Sequence, residues 1–334
     1  MARSTEQEQP DDVIWGFIGL GQMGYPVAMK LRENMPKSYT LLISDVNDGV
    51  LSRFVEHFEN AAERNGPNSR PLNVQITRNA RELAERSSIV VTCLPTPRVV
   101  KSVFDAMLID GKLPHLKQER LFIDCSTIDP PTSRALARAV RDVLDVEFVD
   151  APVSGGVVAA RAGTLSLMFG TTTKSQKSIK RIKSILSLMG QKICHVGEQG
   201  AGVAGKLANN YILAINNIAT AEAMSMGLRW GIDPKVLTEL INSSTGRCWP
   251  TEVNNPVPGV IEGSPASNGY EAGGTVAVIQ KDLRLAMSGA EDSGVGLMLA
   301  SKADEVYTAV EKVYSGKDFS IVYKWMQDNT STEY

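Results

Sequence analysis

Cysteine is scarce in this chain. Cys93, Cys125, Cys194 and Cys248 stand far apart in 334 residues, with no CxxC pair. That excludes a disulfide scaffold or a zinc ribbon and reads as buried free thiols in a reducing compartment. Histidine is scarcer still. His57, His115 and His195 form no metal-ligand spacing, so each reads as structural or surface and no metal is expected. A surplus of positive charge is also missing. The 35 basic and 37 acidic side chains leave a net charge of −2, too little cation to hold a polyanion. No apolar run reaches the ~18–20 residues of a membrane span. The opening MARSTEQEQPDD has one Arg against Glu6, Glu8, Asp11 and Asp12, which suits neither a secretory signal nor a basic transit peptide.

What is present is the composition of an ordinary globular protein, 43% hydrophobic and 22% charged. At ~100–200 residues per domain, the length predicts two domains, each able to bury a core. The first half alternates β-branched runs with amphipathic stretches. Strands are predicted at 13–18, 40–45, 73–77, 89–94, 121–126 and 146–150, and helices at about 24–34, 48–62, 79–87, 97–108 and 130–144. Asp129-Pro130-Pro131 is a strong helix start. The polar stretch 60–71 reads as a surface loop. Two further strands, 165–170 and 192–196, flank a basic helix. Strand–helix alternation of this kind means a doubly wound, mostly parallel α/β sheet of the Rossmann type.

From Gly200 to Trp230 the texture changes to a nearly uncharged, proline-free run, a helix of about 45 Å. Its apolar residues lie on most faces, so neighbouring helices or a second subunit should bury it. Helices follow at 233–243, 275–293 and 298–315, with a Gly- and Pro-rich loop at 246–274 that reads as functional. The organisation is therefore a polar tail at 1–12, an α/β domain at 13–198 and an all-α domain at 199–334.

Four stretches point to chemistry. Gly19-Leu20-Gly21-Gln22-Met23-Gly24 directly follows a strand and opens a helix, and Asp45 ends the next strand 21 residues after Gly24. A bare glycine turn would need none of that context; a dinucleotide-binding loop needs all of it. Gly19 permits the turn, Gly21 lets backbone approach a pyrophosphate at the helix end, and Gly24 lets helix and sheet pack. Asp45 would accept from ribose hydroxyls and repel a 2′-phosphate, with Asp48 adding to the repulsion, which favours NAD over NADP. Ser154-Gly155-Gly156, after the strand ending at Asp150, offers a hydroxyl and free N–H groups to a small carboxylate, although any tight turn could look the same. Lys206 and Asn210 lie four residues apart on one face of the apolar helix. Lys206 is either a buried general acid/base of lowered pKa or a lysine snorkelling at a helix end. Lys281-Asp282 on a later helix, Leu94-Pro95 and Ser126-Thr127 beyond strand ends mean little alone.

Taken together these residues resemble the β-hydroxyacid dehydrogenase family. GFIGLGQMG (16–24), Asp124–Thr127, DAPVSGG (150–156), GVAGKLANN (202–210) and Lys281-Asp282 match in order, and the match spans roughly 13–325. The resemblance implies an NAD-dependent dehydrogenase with Lys206 as catalytic lysine and Asn210 holding substrate. It places the substrate carboxylate on Ser154, Gly155 and Gly156. Leu94, Pro95 and Thr127 become contacts near the nicotinamide, Thr127 also facing substrate, and Lys281 a cofactor contact. No metal is implied. A homodimer or homotetramer is.

A closer match lies in STIDP (126–130), TAEAMSMGLRWGIDPK (220–235) and SSTGRCWPTEVNNPVPGV (243–260). It implies oxidation of 3-hydroxyisobutyrate to methylmalonate semialdehyde, a step of valine breakdown. By that resemblance the compartment is the mitochondrial matrix, with the cytoplasm as the alternative. A 3-hydroxypropionate dehydrogenase, a small-semialdehyde reductase, or a module that binds nucleotide without catalysis are the competing readings. Two positions depart from close relatives: Val99 stands where an asparagine is expected in the cofactor site, and Gly274 where a phenylalanine lines the pocket. The second departure predicts an enlarged pocket or a loop that closes differently.

Overall fold

A computed structural model describes residues 13–64, 72–271 and 273–330. The N-terminal tail 1–12 and the end of the predicted loop at 65–71 lie outside the described residues. The first part is built from β1 (Ile14–Ile18), α1 (Gly24–Asn34), β2 (Thr40–Ser44), α2 (Asp48–Arg64), β3 (Val74–Ile76), α3 (Ala80–Arg86), β4 (Ile89–Thr92), α4 (Pro97–Leu108), β5 (Leu121–Asp124), α5 (Pro130–Leu144) and β6 (Glu147–Asp150). It continues through β7 (Val153–Ser154), α6 (Gly156–Ala162), β8 (Ser166–Thr171), α7 (Gln176–Leu186) and β9 (Lys192–Gly197). The sheet order is β3-β2-β1-β4-β5-β6-β8-β7, with β9 paired to β8. β1 to β6 run parallel to one another, whereas β8 runs antiparallel to β6 and β7 and parallel to β9.

Strand alternation feeds two cores. Phe17, Leu41, Ile43, Val91 and Ile123 pack on one face with Val27 and Leu31 of α1, Phe54 of α2 and the isoleucines of α7. Leu42, Val90 and Phe122 pack on the other with Leu83 of α3, Phe104 of α4 and Val140 of α5. Both faces are covered, which is why these strands read as continuous apolar runs. The helix starts are set locally. Asp129 caps α5 by accepting from Thr132 N at 2.7 Å ahead of two prolines, and Thr96 caps α4 in the same way.

The second part is helical: α8 (Ala201–Arg229), α9 (Pro234–Asn242), α10 (Trp249–Glu252), α11 (Val276–Asp292), α12 (Ala300–Tyr314) and α13 (Val322–Thr330). Ala214 and Ala221 of α8 pack with Val276, Ile279 and Leu283 of α11, Tyr307 of α12 and Val322 of α13. Several expectations are corrected. The stretch 60–64 belongs to α2 rather than to a loop. The long 246–274 segment contains α10 and a 3-10 turn at Ala266–Asn268. Cys194 lies exposed on the edge strand β9, not buried. No helix among the described residues is long and apolar enough to cross a membrane.

Candidate active site

The first half of the site lies at the carboxyl ends of the parallel strands. β1 is followed by Gly19, whose φ of +98° and closeness to Cys93 O, 2.3 Å from where a Cβ would stand, admit only glycine. A Cβ on Gly24 would lie 1.9 Å from Gly19 O, so helix and turn touch backbone to backbone. A Cβ on Gly21 would meet nothing within 4 Å. Gly21 therefore leaves a cradle open, while the other two serve contacts inside the chain. The start of α1 has no side-chain cap at Met23, so its positive end faces that cradle. The Asp45 carboxylate is fixed by Leu20 N at 2.6 Å and Asn47 N at 2.8 Å. Gly19 to Gly24 and Asp45 are thus brought together. An open cradle at a helix start with a carboxylate beside it fits a dinucleotide: a pyrophosphate over Gly21 to Met23 and a ribose on Asp45.

Further along the same edge, β4, β5 and β6 end in register, with Thr92 opposite Asp124 and Asp124 opposite Asp150. Asp124 is fully buried and its Oδ1 accepts from Thr92 Oγ1 at 2.8 Å and Ser126 Oγ at 2.6 Å. Ser126 Oγ in turn accepts from Leu94 N at 2.8 Å. That chain pins the Leu94-Pro95 turn to the Ser126-Thr127 turn. Burial pushes the Asp124 acid up, against the hydroxyls of Ser126 and Thr92 that favour its ionised form.

The second half comes from the helices. Lys281 of α11 donates to Thr127 O at 2.9 Å and pairs with Asp282 at 2.9 Å. Asp282 Oδ2 accepts from Asn210 Nδ2 of α8 at 2.6 Å. Lys206, one turn before Asn210, is only 8% exposed and makes no hydrogen bond within the described residues. Desolvation lowers its pKa to about 8, the nearby Asp282 carboxylate opposes the shift, and Lys281 adds to it. The snorkelling alternative is therefore set aside, because the amine is buried. Ser154 ends β7, and Gly155 and Gly156, with φ of +135° and +70°, open α6. The predicted loop is in fact a helix start. Among the described residues, none of its side chains makes a hydrogen bond to Lys206 or Asn210.

Three acids were not singled out as site residues by the sequence: Asp124, Asp150 and Asp282. Asp282 carried a signal, since it stands on the apolar stripe Val276, Ile279 and Leu283 where α11 turns inward. Val99 is part-exposed in the capped first turn of α4, its N–H accepted by Thr96. At Gly274, a Cβ would lie 3.2 Å from the ring of Phe319, and the Trp249 ring lies tilted by 38° against that ring, centroids 6.3 Å apart. Phe319 thus stands directly against the Gly274 backbone.

A doubly wound sheet with an open glycine cradle, joined to a helical unit that presents a buried amine, defines a nicotinamide-dinucleotide dehydrogenase. The family described as the NAD binding domain of 6-phosphogluconate dehydrogenase matches residues 15–197, and the one described as NAD-binding of NADP-dependent 3-hydroxyisobutyrate dehydrogenase matches 200–326. The mitochondrial 3-hydroxyisobutyrate dehydrogenase of Mus musculus is 38% identical over 94% of this chain and 87% of its own. The Homo sapiens protein of that name is also 38% identical, over 94% and 86%. A solved structure of Mycobacterium tuberculosis 3-hydroxyisobutyrate dehydrogenase with L-serine superimposes with a TM-score of 0.78 at 32% identity, covering 95% of this chain and 99% of that one. The chain belongs to the β-hydroxyacid dehydrogenase family, with 3-hydroxyisobutyrate dehydrogenases among its relatives, and is a hydroxyacid oxidoreductase using a nicotinamide cofactor.

Proposed function

We propose that the chain oxidises 3-hydroxyisobutyrate to methylmalonate semialdehyde with NAD, with Lys206 as general acid/base. The observation that carries this is the buried, unbonded Lys206 amine beside the Asn210–Asp282–Lys281–Thr127 chain. A nicotinamide cofactor, held by the Gly19–Gly24 loop and Asp45, would supply the hydride acceptor. The protein's part is to bind the carboxylate on Ser154 Oγ and the Gly155 and Gly156 N–H groups, and to hold the hydroxyl at Lys206 Nζ. Asn210, anchored by Asp282, keeps a second N–H for the substrate. Neutral Lys206 takes the hydroxyl proton during oxidation and returns it in the reverse direction. Leu94, Pro95, Thr127 and Lys281 shape the nicotinamide end. The M. tuberculosis relative was solved with L-serine, itself a 3-hydroxy acid, which supports a site of this size.

NAD is preferred over NADP on the charge at the ribose corner. Asp45 stands there, and Arg78 is paired with Asp48 at 2.9 Å, so its charge is offset. The compartment is proposed as the mitochondrial matrix because the mouse and human relatives are named mitochondrial. The matrix is checked by imaging the tagged full-length protein.

The test is NADH formation across 3-hydroxyisobutyrate, 3-hydroxypropionate and L-serine, with both cofactors. The highest kcat/KM falls on 3-hydroxyisobutyrate with NAD. A preference for 3-hydroxypropionate overturns the substrate, and a preference for NADP overturns the role of Asp45. Lys206→Ala loses about 10²–10⁴-fold in kcat while still binding NAD.

A further inference from the structure

We propose that Asp150 is the positioning residue that holds Lys206 in register with the substrate-carboxylate loop, acting through the amino end of α8. The inference deepens the proposed reaction and rests on its assignment of Lys206. Asp150 is the last residue of β6 and is fully buried. Its Oδ1 accepts from Gly200 N at 2.7 Å and from Gln199 Nε2 at 2.8 Å, and its Oδ2 accepts from Val203 N at 2.8 Å. The N-cap of α8 is Gly200, which has no side chain to satisfy the first-turn N–H groups. A carboxylate fifty residues earlier in the chain does so instead.

The seat has no slack. A Cβ on Gly202 would stand 2.6 Å from Met168 O and 2.7 Å from both Asp150 O and Oδ2. A Cβ on Gly170 would stand 2.4 Å from Glu198 O and 2.8 Å from Asp150 Oδ1. Gln199 Nε2 also reaches Ser133 Oγ of α5 at 3.0 Å, so the carboxylate is held on the α5 side as well.

Two distances along the chain give this seat its meaning. Val203 is one turn before Lys206, on the same side of α8. Ser154 is four residues after Asp150, beyond the end of the strand. One buried carboxylate therefore fixes the start of the helix that carries the amine and the start of the loop that carries the acid-binding groups. Burial and the neighbouring Asp124 carboxyl raise the Asp150 acid to about 7, opposed by the Gly200 and Val203 N–H groups. Burying such a group is costly unless it is hydrogen-bonded, and here Gly200 N, Gln199 Nε2 and Val203 N supply the bonds. A displacement of about 1 Å between reacting groups is worth roughly 10²-fold in rate.

The experiment compares wild type with Asp150→Asn as the full chain, in three measurements. These are NAD affinity, kcat and KM on 3-hydroxyisobutyrate, and the pH midpoint of Lys206 acetylation followed by mass spectrometry. Asp150→Asn keeps one acceptor but sets an N–H against a helix N–H. The expected result is NAD affinity within about twofold, kcat lower by about 10- to 100-fold, and a Lys206 midpoint moved toward the ordinary lysine range. Unchanged kcat with an unchanged midpoint overturns the proposal, even if the variant melts earlier, because a merely structural cap would do only that. Should Asp150→Asn fail to fold, Val203→Pro decides. It removes the N–H that meets Oδ2, one of the first-turn N–H groups of α8 that have no intrahelical partner to lose. If wild type turns over no 3-hydroxy acid, the reaction reading falls, and the acetylation midpoint still tests whether Asp150 places Lys206.

Discussion

A single amine sets the residue scale. Lys206 is buried with its pKa lowered from 10.5 to about 8, so the folded state disfavours its charge. Between about 8 and 10.5 the unfolded chain binds more protons than the folded one, so stability rises with pH across that window. Below it the full penalty is present, up to about 3 kcal/mol at 1.36 kcal/mol per pKa unit. Lys206→Met removes the penalty. At pH 7 the variant should melt a few degrees above wild type while losing about 10²–10⁴-fold in kcat. The gain in melting temperature should shrink as the pH approaches 10.5, and a loss of stability at pH 7 would contradict it. In the proposed reaction the same amine governs the pH–rate profile. Oxidation by that route needs neutral Lys206, so kcat should rise through about pH 8 and level off above it. Asp282 raises the lysine's pKa, so Asp282→Asn should move that rising limb to lower pH while weakening the hold on Asn210. A limb that stays put would show that Asp282 does not act on Lys206.

At the scale of elements, three glycines in one turn do different jobs. Gly24→Ala drives a methyl to 1.9 Å from Gly19 O and should unseat α1 from β1, with a visible fall in melting temperature. Gly21→Ala meets nothing in the chain, so it should leave the melting temperature alone and weaken NAD binding. Equal effects of the two variants on melting would contradict the cradle. The elements themselves were legible where local chemistry is decisive. Helices at 24–34, 97–108 and 130–144 match their predicted bounds, the last two because Thr96-Pro97 and Asp129-Pro130 announce their starts. The misses follow from weak local signal. Two-residue β7 and the α6 start at Gly156 hide in a Ser-Gly-Gly run that reads as a turn, and α10 and α13 carry little periodicity. The site divides similarly. The Gly19–Gly24 loop, Asp45, Lys206 and Asn210 stand out by type and spacing. Asp124 and Asp150 do not, because their roles arise from neighbouring strands ending in register and from a helix returning over them, which one strand's sequence does not contain.

The whole molecule leaves one long surface unaccounted for. Along α8 the exposed or part-exposed residues Ala204, Ala208, Ile212, Ala219, Ala223, Met226 and Trp230 recur at intervals of three, four or seven and so form a stripe. Ile212 is 57% and Trp230 70% exposed, and Val236 and Leu240 of the adjoining α9 are equally open. A stripe of this length with small residues at one end and a bare tryptophan at the other is uncommon on a monomer. We propose that a second copy of the chain, packed helix to helix about a two-fold axis, covers it on both partners at once. The full chain should therefore run in solution at twice its 36.2 kDa mass or more. The double variant Met226→Glu, Trp230→Glu puts charge at the outer end of the stripe, five turns or more from Lys206, and should shift the mass to that of a single chain at micromolar concentration. The helices of that chain should remain, since both side chains are already in water in one copy. Light scattering after size exclusion decides it: a wild-type chain that is monomeric at those concentrations removes the second copy, and a double variant that stays dimeric moves the contact to another face.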